Sequence, residues 1–235
     1  MDRGVTHAID LDLVMALTDA FDRLGRDEDV HGVVLTGSGR KFFSIGFDLP
    51  RLIELDRAGF GDFYHRFNLL CVKIHTLRKP VVAAVNGHAI AGGCILALCC
   101  DYRFIAENRT LTGLNEIKLG VPVPYPADCM LRRLVGERVA RDIMESGDFY
   151  PADQALKLGL VDQALPADRV LSGSVGRAEL LSRLPAGGRV VIKRNRTESI
   201  ERRILSRLEE KERLFLDCWF SETTRIRLEK AAEKF

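Results

Sequence analysis

The stretch K-P-V-V-A-A-V-N-G-H-A-I-A-G-G-C-I-L-A-L-C-C-D-Y-R-F-I-A-E, Lys79 to Glu107, decides the fold. Val81 to Val85 is a continuous apolar run between Pro80 and Asn86-Gly87, the pattern of a strand buried on both faces. Gly92-Gly93 opens a second apolar run, Cys94 to Cys100, that predicts a buried helix, and Tyr102 to Ala106 predicts another strand. Strand, turn, helix and strand in this order predict an α/β core whose strands are covered on both sides.

Working outward, Ile9, Leu13, Ala16, Leu17, Ala20, Phe21 and Leu24 recur at three and four and predict an amphipathic helix from Ile9 to Leu24. Val30 to Thr36 predicts a strand that ends in the turn Gly37-Ser38-Gly39, and Phe42 to Gly46 reads as extended. Downstream, three prolines in Val121 to Pro126 remove amide donors and predict a shaped loop. Short helices are predicted over Ala127 to Leu134, Ala140 to Glu145 and Ala152 to Leu158, with Gly159 as a C-cap and Leu160-Val161 opening an exit segment. From Arg189 to Lys234 the chain is charged, with Ile200, Ile204, Leu208, Phe215 and Trp219 at spacings that suggest helices docking by their large apolar residues. A solvated helical tail is the plain alternative. No repeat or linker splits the chain, so the organisation expected is a core over 1–188 followed by a helical region over 189–235.

Composition narrows the function classes. A chain of 235 residues, 46% hydrophobic and 29% charged, hides roughly 70% of its unfolded surface and builds a core without disulfides or metals. With a mean hydropathy of -0.02, no apolar run reaches the roughly 18 to 20 residues of a membrane span. Met1 to Asp10 lacks the layout of a signal peptide, which predicts a reducing, cytoplasmic setting. The cysteines form no C-x-x-C pair and no zinc-like cluster; Cys94, Cys99 and Cys100 read as small core hydrophobes. A net charge of +2 without an aromatic-basic stripe predicts neither nucleic-acid binding nor membrane insertion.

Three segments could carry chemistry. Gly37-Ser38-Gly39-Arg40-Lys41-Phe42 follows a strand but lacks the third glycine of a dinucleotide loop, and no Walker loop, zinc-protease helix or nucleophile elbow occurs. The junction Asn86 to Gly93 places two glycines at a helix start, where backbone can approach closely and free amides could hold an oxyanion. Close packing alone also explains that glycine pair, and His88 beside it reads as structural. Glu116, in the loop L-N-E-I-K-L-G, has largely apolar neighbours, and a dehydrated surrounding would raise its pKa toward that of a proton carrier.

Taken together, F-F-S-I-G-F-D-L (Phe42 to Leu49), the stretch Lys79 to Glu107 and G-L-N-E-I-K-L-G (Gly113 to Gly120) resemble the crotonase family of enoyl-CoA hydratases and isomerases, and A-L-K-L-G-L-V-D-Q-A-L-P (Ala155 to Pro166) is similar to its helix-turn pattern. The resemblance implies a crotonase-like α/β spiral of β-β-α units with C-terminal helices that assemble homotrimers or dimers of trimers. It implies an acyl-CoA thioester substrate, no cofactor beyond the CoA that the substrate carries, and no metal. The backbone amides of Phe47 and Gly92 would form an oxyanion hole. Ser44, Ile45 and Gly46 would line the CoA side, with Arg40 and Lys41 near its phosphates and Asn115 beside the catalytic position.

Family hydratases carry two glutamates, one in a G-G-C-E segment; here that position is Ile95, and only the second survives, as Glu116. Ile95 would help to dry the pocket. An aliphatic chain cannot activate water, so the pattern is most similar to that of 3,2-trans-enoyl-CoA isomerases, with Glu116 shuttling a proton between C2 and C4. Hydration, dienoyl isomerisation, thioester hydrolysis and decarboxylation on the same scaffold, and acyl-CoA binding without turnover, remain the alternatives. Only a few residues stand before Arg3 to Ile9, where the family has a β-hairpin: either the hairpin is absent or the true start lies upstream, and if it is absent the first strand of the spiral is expected at an exposed edge.

Overall fold

A computed structural model describes residues 1–107 and 109–233. The chain opens with α1 (Leu11–Arg26), β1 (Val33–Thr36), β2 (Phe42–Ser44), α2 (Leu49–Leu52) and α3 (Arg57–Thr76). It continues through β3 (Val81–Val85), β4 (His88–Ile90), α4 (Gly92–Leu98), β5 (Tyr102–Ala106) and β6 (Leu111–Gly113). Then follow α5 (Glu116–Leu119), α6 (Tyr125–Val135), α7 (Glu137–Ser146), β7 (Phe149–Pro151), α8 (Ala152–Lys157) and β8 (Gln163–Leu165). Four helices close the chain: α9 (Val170–Ser182), α10 (Ala186–Leu205), α11 (Leu208–Trp219) and α12 (Glu222–Ala232).

From β1 to β6 the strands alternate between two sheets; β7 then joins the second and β8 the first. One sheet has the order β1-β3-β5-β8, all parallel; the other has the order β2-β4-β6-β7, parallel except for β7. Each of the first three turns of the chain therefore gives one strand to the first sheet, one to the second, and then helix, which is the expected β-β-α spiral. β1 lies at an edge of its sheet. The first sheet is fully buried at β3, where all five residues are covered, with α9 against it.

Several local expectations hold with shifted limits. Asp10 caps α1 by accepting the Leu13 N–H at 3.0 Å, so the helix starts two residues after Ile9. β1 begins only at Val33. Cys94, Cys99 and Cys100 are buried free thiols, and Gly159 follows α8 with φ +76°.

Other expectations are corrected. His88 to Ile90, read only as part of the junction Asn86 to Gly93, is strand β4, paired with Phe42 and Thr112. Glu116, read as a loop residue, opens the short helix α5, which ends at Gly120 with φ +90°. Only Val121 to Pro124 forms the proline loop: Tyr125 and Pro126 are already the first turn of α6, where the missing proline N–H would be unpaired anyway. Residues 57–76, unassigned from the sequence, form α3, the helix around which the rest is built. Phe60, Phe63, Tyr64, Phe67, Leu70 and Ile74 recur on it at three and four and are all buried.

The C-terminal apolar residues dock on their own chain. Trp219 stacks on Phe60 at 4.0 Å and Phe215 on Tyr64 at 4.0 Å, so α11 is seated on α3. Ile200, Ile204, Leu208, Phe215, Trp219 and Leu228 belong to one apolar cluster with the strands, and the boundary at 188/189 falls inside α10. Buried Lys193 of α10 joins Asp101 at 2.7 Å and the Lys79 carbonyl at 3.0 Å, while Asp101 also accepts the Val81 N–H. That cluster ties α10 to the start of β3 and to the residue before β5.

The close seating of α4 on β2 needs glycine. A Cβ on Gly93 would stand 2.1 Å from the Ser44 carbonyl oxygen, whereas one on Gly188, in α10, would meet nothing within 4 Å. Gly93→Ala is therefore expected to lower the unfolding free energy by about 3 kcal/mol, and Gly188→Ala to raise it by about 0.5 kcal/mol. Urea unfolding of both variants checks this, and equal effects would refute the packing argument.

Candidate active site

The spiral brings the ends of β2 and β4 together, and the contact is made by glycine. Gly46 has φ +93°, and a Cβ there would lie 2.9 Å from the Gly92 nitrogen. A side chain at Gly46 would thus push apart the two segments that carry Phe47 and Gly92.

Phe47 is oriented from its other side. Ile9 N–H donates to the Gly46 carbonyl at 2.7 Å and Asp48 N–H donates to the Ile9 carbonyl at 2.9 Å. Amides alternate in direction along an extended segment, so the Phe47 N–H points away from Ile9. Ion pairs hold this register: Arg3 reaches both Asp10 and Asp48, and Arg51 reaches Asp10 at 2.8 Å. Ser44 adds a hydroxyl that donates to the His7 carbonyl at 2.8 Å and accepts the Gly46 N–H at 3.2 Å.

Gly92 is oriented by strain. Ala91, the residue before α4, has φ +48° and ψ -117°, a conformation that costs a non-glycine residue about 1–3 kcal/mol. Its N–H donates to the Gly113 carbonyl at 2.9 Å, which pins the turn to β6. Among the described residues, neither the Phe47 N–H nor the Gly92 N–H donates within the protein.

Both residues stand on the wall of a cavity of about 510 Å³, together with Ile45, Ile95, Asn115 and Glu116. Apart from Thr6, the remaining wall is apolar, with Phe42, Leu49 and Ile90 from the spiral, Phe149 from β7, Phe215 and Trp219 from α11, and Ala231 from α12. A larger groove, about 1010 Å³, opens between the α5–α6 region and α11–α12, but it holds none of Phe47, Gly92 and Glu116.

Glu116 is the only titratable side chain on the cavity wall among the described residues. It is 6% exposed, its Oε2 has no hydrogen-bond partner, and burial pushes its pKa from 4.5 up to about 7. Its own backbone N–H opposes that rise and does not cancel it. A carboxyl group of this kind exchanges protons readily near neutral pH. The thiol of Cys94, in α4, is also driven up, to about 12, by burial first and the Glu116 charge among the lesser causes, so it stays a neutral core group.

The structure does not bring every expected residue to the cavity. Of Ser44, Ile45 and Gly46 only Ile45 is on the wall; Ser44 and Gly46 are buried behind it and act by fixing the backbone. Arg40 and Lys41 are exposed and outside the wall, because the turn that carries them projects into solvent. Lys41 lies over the ring of Phe42 at 5.2 Å, beside the cavity, whereas Arg40 does not form part of it. Phe149, Ala231 and Thr6 were not anticipated. Phe215 and Trp219 were legible as docking residues, four apart on one helix face, but not as cavity wall. Among the described residues, no three His, Cys, Asp or Glu side chains come together as a metal site would require.

Comparison with known proteins agrees with this fold. The profile of the enoyl-CoA hydratase/isomerase family matches residues 1–234. The mitochondrial enoyl-CoA delta isomerase 1 of Mus musculus is 34% identical over 167 residues, 71% of this chain and 58% of that protein. The crotonyl-CoA hydratase of Syntrophomonas wolfei is 33% identical over 165 residues, 70% of this chain and 63% of that one. The aligned part of the chain thus spans about three fifths of these curated relatives. The crystal structure of human mitochondrial delta3-delta2-enoyl-CoA isomerase superposes with a TM-score of 0.95 at 26% identity, covering 99% of this chain and 90% of that one. With the β-β-α spiral, the two free amides and the single buried glutamate in place, the chain belongs to the enoyl-CoA hydratase/isomerase family.

Proposed function

We propose that the protein moves a double bond from C3 to C2 of an acyl-CoA thioester, using Glu116 alone as base and acid. The observation that carries this reading is the solitary carboxylate: one proton carrier with a pKa near 7, in a largely apolar cavity where Ile95 occupies the other family position.

The thioester oxygen accepts from the Phe47 and Gly92 N–H groups. Ionised Glu116 takes a proton from C2; the C–H electron pair forms the C1–C2 double bond of a dienolate, and the carbonyl pair moves to oxygen. The two amides, set before the substrate arrives, meet the charge that develops there, and losing one such donor costs about 3–4 kcal/mol of transition-state stabilisation. The electrons then return from oxygen, the C1–C2 pair moves to form the C2–C3 double bond, and the C3–C4 π pair takes the proton from Glu116 at C4. The proton balance closes on one residue, so no second acid is required. The dry wall keeps that proton from exchanging with solvent. Homotrimers or pairs of trimers are proposed as the assembly, with exposed Leu180, Leu184, Val191 and Ile192 as apolar surface available to it.

Similarity to a hydratase favours a second reading, addition of water to a 2-enoyl thioester. It needs a second group to hold water, and Ile95 is not one. With 3-hexenoyl-CoA the purified protein is expected to form conjugated product, with crotonyl-CoA hydration at least 100-fold slower; comparable rates would favour the hydratase. Glu116→Gln is expected to lose about 10³-fold in kcat/KM, and a variant that keeps full activity refutes the mechanism.

Burial of Glu116 also sets the pH behaviour. The resting base must be ionised, so kcat/KM is expected to fall tenfold per unit below about pH 7 and to be flat above it. For stability the sign is opposite. Between pH 4.5 and about 7 the folded chain holds a proton that the unfolded chain has released, so stability declines as pH rises through this window. The loss amounts to roughly 3 kcal/mol. Glu116→Gln escapes it, and urea titrations at pH 5 and pH 8 are expected to show the variant gaining on the parent at pH 8.

A further inference from the structure

The active-site cavity of about 510 Å³ and the groove of about 1010 Å³ beside it are back to back, and two pieces of the chain divide them. One is the segment that carries Glu116: Glu116, Leu119 and Val121 stand on the cavity wall, whereas Ile117 and Gly120 stand on the wall of the groove. The other is Phe215, which alone among the described residues belongs to both walls.

The aromatic stack places the Phe215 ring in that division. It stacks on Tyr64, with centroids 4.0 Å apart and planes at 20°, and Tyr64 lines the groove. The Trp219 ring, 6.2 Å from Phe215, lines the cavity. Phe215 is buried, so displacing its ring breaks the contact with Tyr64 that seats α11 on α3. The division also lies beside the chemistry. Burial first, and the Glu116 charge among the lesser causes, raise the Tyr64 pKa, so the carboxylate of one cavity is felt by the phenol of the other.

An acyl chain whose thioester oxygen sits on the Phe47 and Gly92 amides, with C2 to C4 at Glu116, carries its remaining carbons beyond Glu116 and away from those amides. A short chain ends inside the cavity. A longer one meets the division, and each methylene that finds no apolar room forfeits roughly 10- to 200-fold in kcat/KM. Behind Phe215 the groove has apolar wall to offer, with Ile117, Val123 and Leu214, but the ring stands in the way.

We propose that Phe215 is a specificity-determining residue that closes the acyl end of the cavity and selects short and medium acyl chains over long ones. The proposal rests on the reading of this cavity as the acyl-CoA site, and it names the acyl class that the isomerase reading leaves open.

The test uses 3-hexenoyl-, 3-octenoyl-, 3-decenoyl-, 3-dodecenoyl- and 3-hexadecenoyl-CoA, with the saturated acyl-CoA of each length as an analogue that binds but cannot isomerise. In the parent protein, kcat/KM and the affinity of the saturated analogue are both expected to fall at least tenfold at one step of the series. In Phe215→Ala, which joins cavity and groove, that fall is expected to move to a longer chain, so the ratio of the longest to the shortest chain rises at least tenfold. The ratio is internal to each protein, so a variant that merely loses active fraction does not shift it. A parent without a tenfold fall at any step overturns the proposal, as does a fall that stays at the same step in Phe215→Ala. If Phe215→Ala does not fold, Phe215→Leu is expected to move the fall by one step, and an unmoved fall there is equally decisive against it. Conversion of every length without preference sinks this proposal and leaves the isomerase reading standing. A length limit on binding that Phe215→Ala relieves, without conversion of any 3-enoyl thioester, does the reverse.

Discussion

Two turns of the spiral meet where a backbone nitrogen and a Cα come within reach of each other, and the rest of the site depends on that contact. Gly46 and Gly92 face one another with no room for a Cβ between them, and Gly93 is pressed on the Ser44 carbonyl. Sheet pairing alone does not produce this. β2 and β4 are three residues each, and their register slips between Phe42 and Ser44, so few ladder hydrogen bonds define their ends. The N-terminal segment supplies the missing constraint: Ile9 bridges to Phe47, and Arg3 ties Asp10 to Asp48. The order of causes runs from a register set at residues 3–10, through glycines that permit close approach, to two amides with no partner inside the protein.

The same contact explains what could be read in advance. Val81 to Val85 and Cys94 to Cys100 are apolar throughout because they are covered on every side, and such runs declare themselves in sequence. The strands of the second sheet do not. His88 to Ile90 is half-buried and three residues long, too short for a period to be counted, and it was legible only as a place where glycines cluster. Glu116 was legible as a carboxylate among apolar neighbours, whereas the helix it opens is four residues long and set by Gly120 rather than by any pattern. Arg40 and Lys41, expected near the CoA phosphates, lie outside the cavity wall on the exposed turn between β1 and β2.

α3 stands apart from both cases. Its apolar residues recur at helical spacing in plain view, yet they bury more than one face, with Phe63 and Phe67 against Phe47 and with Phe60 and Tyr64 against α11. An element that serves two neighbours looks less amphipathic than one that serves a single core, and so marks itself less clearly. The consequence reaches the site, because α3 is the common support of the Phe47 ring and of the helix that closes the cavity opposite it. A shift of α3 would move both walls together.

The cavity concentrates terms that oppose folding. Ala91 holds a left-handed φ, Glu116 is buried without a partner for Oε2, and Trp219 and Asn115 each keep a polar atom unpaired. Each costs on the order of 1–3 kcal/mol. A chain of this size has only about 5–15 kcal/mol of net stability, so four such terms in one place need strong support nearby. That support is the aromatic stack of Phe60, Tyr64, Phe215 and Trp219 together with the buried strands, which hold the wall rigid while its polar groups stay unsatisfied. Two of the opposing terms have a use in the chemistry: the strain aims Gly92, and burial brings Glu116 near neutrality.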